Sequence, residues 1–272
     1  MNRTAGQNAG SWLLTAYLVL FFVYLFVPLV IMAAATFNTS RFPTVTPWLG
    51  TTTRWFGVLA ADTQMWLALR NSVVIGVAVV AVSVPLGVAA AMLLDSLHRR
   101  ARGLLYAVMV SPLLTPGVII GIATLVFWQR LGVQGGLHLV VIGQTSFIAA
   151  YVMLMVSARL QRFDRTLEEA ALDLGASHGQ AFRRILLPHL WPAIVAAGVL
   201  AFFQSFENYN TTLFTRGTDS TLTIFIASKV RTGLTPAVNA LGLVLIALTV
   251  LGAVAYEVLR RREAARNQGA VR

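Results

Sequence analysis

NSVVIGVAVVAVSVPLGVAAAMLL, residues 71–94, contains no Asp, Glu, Lys or Arg and is long enough to cross a bilayer once. A hydrocarbon layer about 30 Å thick needs roughly 20 apolar residues of helix. The stretch lacks the alternation of a barrel strand, and a helix satisfies every backbone group within a single span. Runs of the same kind lie at Trp12 to Ala35, Leu104 to Trp128, Leu137 to Ala158, Trp191 to Phe214 and Val238 to Leu259. The sequence therefore predicts an all-α membrane protein with six transmembrane helices. Composition agrees: 57% of residues are hydrophobic and 11% charged, and the mean hydropathy is +0.73. One membrane domain over residues 1–272 is the simplest division, with a core module at about 70–259.

Pro28, Pro85, Pro112, Pro116 and Pro192 lie inside or at the ends of these runs, where neighbouring helices absorb kinks. Pro112 and Pro116 mark the third run as the one to bend. The first run closes on Ala33-Ala34-Ala35, which resembles a cleavage site, but it has bilayer length and only Arg3 before it, so no cleavage is expected. Cys is absent, which excludes disulfides, thiolate metal sites and cysteine nucleophiles.

A net charge of +11 raises the question of nucleic acid, but the cations are Arg residues beside the spans, with Lys229 the only lysine. They read as topology. Arg3, Arg99, Arg100, Arg102, Arg159, Arg162, Arg165, Arg183, Arg184 and the tail arginines from Arg260 to Arg272 fall on one side, twice as many as on the other. The positive-inside rule then places both termini in the cytoplasm. The connections Thr36 to Arg70 and Thr215 to Ala237 fall outside and are long enough to carry short structures of their own.

The charged segment from Leu160 to Trp191 is the most informative connection. Leu160, Phe163, Leu167, Ala170, Ala171 and Leu174 recur at helical spacing. Asp164 suits an N-cap, Glu168 and Glu169 sit near the positive end of the helix dipole, and Gly175 suits a left-handed stop. Ser177 and Gln180 have capping-box spacing for a second helix that ends before Pro188. A helix, a turn and a helix are thus presented to the cytoplasm.

Glu169-Ala170-Ala171, then Gly175 after three residues, then Ile185-Leu186-Leu187-Pro188 after nine more, resembles the EAA loop of binding-protein-dependent ABC importer permeases. The resemblance implies a type I importer permease fold in a bacterial inner membrane, with segment 160–190 as the coupling helix that seats on a separate ATPase subunit. Carried over, Glu169 makes a polar contact at that subunit, Ala170 and Ala171 allow close approach, Gly175 supplies the bend, and Ile185, Leu187 and Pro188 complete the motif. It also implies a second permease subunit, identical or paralogous, an external solute-binding protein, and ATP with Mg held by the ATPase partner. No cofactor of its own is expected. Leu69-Arg70-Asn71-Ser72 resembles the start of that family's transmembrane module and Ser111 to Pro116 its Pro-containing third helix, while Ser205 to Asn210 and Leu234 to Ala240 are similar to its polyamine branch. The alternative for the loop is an amphipathic helix pair lying on the membrane surface.

No phosphate-binding G-x-x-x-x-G-K-[ST] loop is present, and His98, His138, His178 and His189 lack metal-ligand spacing. The chain is expected to be a transport subunit without a catalytic site. A secondary transporter driven by an ion gradient is the reading from another class, and a membrane scaffold is a third. For the solute, a polyamine or similar cation follows from the resemblance, with sugar, iron or another small organic solute as alternatives. In the fifth run Gln204, Glu207, Asn208 and Thr211 follow i, i+3, i+4, i+7 spacing, a polar stripe on one helix that either lines the solute path or pairs with the neighbouring permease.

Single cysteines at Ala101, Ala176 and Gly217 test the sidedness in this Cys-free chain. Only the Gly217 site is expected to react with an impermeant thiol reagent from outside, and outside labelling at Ala176 would contradict the orientation.

Overall fold

The computed structural model describes residues 5–269. Its helices are α1 (Ala5–Thr36), α2 (Arg54–Ala61), α3 (Thr63–Ser96), α4 (Arg99–Leu114), α5 (Gly117–Arg130), α6 (Leu137–Leu160), α7 (Thr166–Asp173), α8 (His178–Ala181), a π-helical turn (Phe182–Leu186), α9 (Leu187–Phe206), α10 (Asn210–Thr215), α11 (Leu222–Thr232) and α12 (Pro236–Gly269). Among the described residues the only β pairing is one isolated bridge between Asn38 and Thr51. Five stretches are long and apolar enough to cross a membrane: Trp12–Thr36, Thr63–Ser96, Leu137–Leu160, His178–Phe206 and Pro236–Val258.

The third expected span is bent, as Pro112 and Pro116 mark it to be: α4 and α5 meet at a bend of 104° and amount to a sixth span as a broken pair. Pro116 forces the preceding residue out of the helical region, and Thr115 accordingly has ψ 130°.

Two compact units make up the chain. In the unit Gln64–Ala227, α6 is the central helix, with Val140, Ile148, Val152, Met153 and Val156 wholly buried. Ile75, Val79, Ala90 and Leu94 of α3 and Leu190, Ala197 and Ala201 of α9 join them in one core. Close approach of α3 and α6 needs Gly87, because a Cβ there would lie 2.5 Å from the Val152 Cβ and 2.7 Å from the Ala149 carbonyl oxygen. At one end of α3 the Asn71 Nδ2 donates to the Ser220 carbonyl at 2.9 Å, and the Leu222 N–H donates to the Ser72 Oγ at 2.8 Å. The pair Asn71-Ser72 therefore fixes the chain between α10 and α11.

The other unit comprises Met1–Thr63 and Ser228–Arg272. Side chains along α1 from Trp12 to Ile31 are exposed, as suits a helix facing lipid or another subunit. Just past it, buried Asn38 organises a knot of chain. Its Nδ2 donates to the carbonyls of Thr44 (2.9 Å) and Pro47 (3.0 Å), and its Oδ1 accepts from the N–H groups of Ser40 (3.2 Å) and Leu49 (3.1 Å). That exhausts the side-chain amide. The Trp55 Nε1 donates to the Asn38 carbonyl at 2.9 Å and binds α2 to the knot. Short structures thus occupy both long connections, as expected. Arg3 and Arg272, which enter the sidedness count, lie outside the described residues, as do the two chain ends.

Gly87→Ala is expected to destabilise the protein by about 1–3 kcal/mol, the usual cost of overpacking a tight core. Gly198→Ala, whose Cβ would have no neighbour closer than 3.8 Å, is expected to leave thermal stability in detergent unchanged.

Candidate functional site

The 161–190 connection is built mainly by local hydrogen bonds. Asp164 Oδ1 accepts from the Thr166 hydroxyl at 2.8 Å and from the Thr166 N–H at 3.0 Å, one residue ahead of the helical cap position. These two bonds, the hydroxyl's first, hold the Asp164 carboxyl below the usual carboxylate range. Because the folded value lies below the unfolded one, this contribution is complete at neutral pH and is lost as pH falls through the depressed value.

Helix α7 ends in a Schellman arrangement. The Gly175 N–H donates to the Leu172 carbonyl at 2.9 Å and the Ala176 N–H to the Ala171 carbonyl at 3.0 Å. Gly175 has φ +88°, the left-handed region that favours glycine. The capping box of α8 is also present: the Ser177 N–H donates to Gln180 Oε1 at 2.8 Å and the Gln180 N–H to Ser177 Oγ at 3.3 Å.

The second helix, however, does not stop before Pro188. It runs through a π-helical turn directly into α9. The Leu187 N–H reaches back five residues to the Phe182 carbonyl, so the wider turn accommodates Pro188, which has no N–H to donate. Ile185 and Leu187 are half-buried at this root, and Pro188 is exposed.

The apolar face expected on the first helix divides. Leu160 is buried at the end of α6 and Phe163 packs against the core, whereas Leu167 and Leu174 are exposed, Leu174 to 90%. Glu169 and Ala170 are exposed beside them and Ala171 is half-buried. An apolar side chain held in the open by a rigid helix end is poised for a partner surface. At the root, Arg159 Nε donates to the His189 carbonyl at 3.1 Å, and the Phe163 and His189 rings lie 5.1 Å apart. Arg165, immediately before α7, pairs with Asp95 near the end of α3. An exposed pair of this kind contributes about 0–1 kcal/mol. None of these three contacts was legible in the sequence, since each joins residues with no fixed spacing.

The polar stripe expected on the fifth span is broken. Helix α9 ends at Phe206, and Asn208 starts α10 by accepting, through Oδ1, the N–H groups of Thr211 (3.2 Å) and Thr212 (3.3 Å) and the Thr212 hydroxyl (3.2 Å). Gln144 of α6 braces the break: its Nε2 donates to the Thr212 Oγ1 at 2.9 Å, and its Oε1 accepts from the Ser205 hydroxyl. Thr211 is wholly buried and donates to the Gly117 carbonyl at 3.2 Å. It sits in a glycine socket, since a Cβ at Gly121 would lie 2.8 Å from the Thr211 carbonyl oxygen and one at Gly143 3.0 Å from its Cγ2. The side chains of Asn208 and Thr211 are thus engaged in bonds within this unit. Glu207 is exposed at the C-terminal end of α9 and Gln204 is half-exposed one turn earlier.

A family model described as "Binding-protein-dependent transport system inner membrane component" matches residues 83–264. The putrescine transport system permease protein PotI of Escherichia coli strain K12 is 34% identical over 255 residues, covering 90% of each chain. The spermidine/putrescine transport system permease protein PotC of the same strain is 31% identical over 268 residues, covering 97% of this chain and 99% of the relative. A solved bacterial ABC transporter that imports the acidic polysaccharide alginate has a chain superposing with a TM-score of 0.72 at 14% identity, over 96% of this chain and 99% of that one. That identity is low enough for the likeness to concern the fold alone. An amino acid ABC transporter superposes with a TM-score of 0.58 at 16% identity over 78% of this chain.

Gly175→Val is expected to abolish transport while the protein still inserts and accumulates, because a β-branched residue resists positive φ. Gly179→Ala, on the same loop with open space around its Cβ, is expected to transport normally, and a working Gly175→Val variant would remove the bend from the mechanism.

Proposed function

The chain belongs to the family of binding-protein-dependent transport system inner membrane components, and we propose from that premise that it is the permease subunit for a polyamine in an ATP-driven importer. The observation that carries the substrate is the relatives' cargo: both close-length relatives named above move putrescine or spermidine. The end of α9 is chemically suited to such a cargo. A helix C-terminus carries a partial negative charge, and Glu207 adds a full one there. A protonated amine passing this point meets a countercharge, with Gln204 as a neutral hydrogen-bonding neighbour.

The remaining machinery follows the same reading. ATP and Mg are bound by ATPase subunits, against which α7 seats with Glu169, Ala170, Ala171 and Gly175 at the contact and Ile185, Leu187 and Pro188 at the root. Leu174 adds an apolar knob. A second permease, identical or paralogous, completes the pathway, and an external binding protein delivers the solute. The loop side, with both termini, faces the cytoplasm, and the segment 160–190 forms part of a permease domain that includes the whole chain. Closing of the ATPase pair moves α7, and the stiff turn at Gly175 together with the continuous helix through Pro188 passes that movement to α9 and its broken end.

Glu207→Gln is expected to slow putrescine uptake in proteoliposomes about ten-fold, on the order of 1.4 kcal/mol of lost transition-state stabilisation, while ATP hydrolysis stimulated by the loaded binding protein persists. Uptake at the parental rate would take Glu207 out of the path. A binding protein that co-purifies with a sugar or an anion would overturn the polyamine assignment and leave family membership intact.

A further inference from the structure

We infer that Asp95 is a positioning residue for the coupling loop, exchanging its ion-pair partner between Arg165 on the loop and Arg102 on α4 as the loop moves. The inference rests on the reading of α7 as the ATPase contact. In the structure Asp95, one residue from the end of α3, holds Arg165, one residue before α7. The Arg165 side chain is 63% exposed and that of Asp95 29%, so water competes for both groups and the contact is easily exchanged.

Asp95 also lines a cavity of about 50 Å³, together with Arg102, Tyr106, Ser157 and Gln161. The cavity carries an unsettled polar group. Ser157 Oγ is buried and has no hydrogen-bond partner. Buried hydroxyls without partners are uncommon and call for an occupant that can donate to them. Arg102 is exposed and forms no ion pair among the described residues. One carboxylate therefore pairs with a guanidinium on the loop and also lines a cavity shared with a second guanidinium, on α4, and an unpartnered hydroxyl, on α6.

The geometry sets the sequence of events. When α7 is drawn away from α3, Asp95 loses Arg165 and is left beside the cavity as an uncompensated charge. The Arg102 guanidinium, with five N–H donors in a planar fork, can then serve the Asp95 carboxylate and the Ser157 hydroxyl together. The loop movement is passed in this way to the first half of the bent α4–α5 pair as well as to α9. A fixed brace between Asp95 and Arg165 would make no use of Arg102.

The test uses the assembled transporter in proteoliposomes, with solute taken up per ATP hydrolysed as the readout and putrescine as the probe. Arg102→Gln is expected to lower that ratio about five-fold or more at unchanged abundance, with Arg102→Lys, which keeps the charge but not the fork, restoring only part of it. An unchanged ratio in Arg102→Gln, with the parental assembly showing ATP-driven uptake, overturns the exchange alone. Failure of the parental chain to bind an ATPase subunit through the loop overturns the loop reading and the exchange with it.

Discussion

A helix that stops in or beside a bilayer leaves amides and carbonyls that lipid cannot satisfy, and the unit Gln64–Ala227 is arranged around one such stop. Between α9 and α10 the orphan N–H groups are taken by Asn208, and the hydroxyls on either side are held by Gln144 of the central helix. The same short helix α10 closes the glycine socket on α5 and hands its Thr215 carbonyl to the Gly136 N–H at 2.8 Å. Without that polar bridge, α5, α6, α9 and α10 have no common point of reference. Its members are uncharged, which spares the protein the cost of burying ions.

The stop also gives Glu207 its setting. A carboxylate in the middle of a continuous apolar span is costly, whereas one at a helix end beside exposed backbone has water within reach. The exposed apolar side chains of the loop illustrate the complementary case. Leu167 and Leu174 stand in solvent on a scaffold fixed by two caps, so a partner meets them already ordered and little entropy remains to be lost on docking. The loop and the break at the far end of α9 are joined by an unbroken helix, His178–Phe206.

Features set by neighbouring residues were legible in the sequence. Gly175, the Ser177–Gln180 box and the runs of bilayer length each depend on short-range rules, and the structure contains them. Reading failed where a local rule met a distant partner. The i, i+3, i+4, i+7 pattern from Gln204 to Thr211 fits one helix as well as two, and only Asn208 acting as a cap, with Gln144 and Gly117 brought from elsewhere in the chain, decides for two. Pro188 signals a helix end by composition, yet a π turn lets the helix continue. The knot at Asn38 escaped because its partners follow no period, and the ion pair of Asp95 with Arg165 escaped because nothing in either segment points to the other.

The bend between α4 and α5 bears on how the chain enters the membrane. At 16 and 14 residues, each piece falls short of the roughly 20 residues a single crossing needs. The socket that receives α10 lies on α5 at Gly117 and Gly121, yet α10 is synthesised some ninety residues later. During translation α5 can meet α6, its neighbour in sequence and in the fold, but the groove at Gly117 and Gly121 is filled only once the Thr211 segment has left the ribosome. Biogenesis of this protein is a retroactive event, in which a late and very short helix completes the packing of an early one.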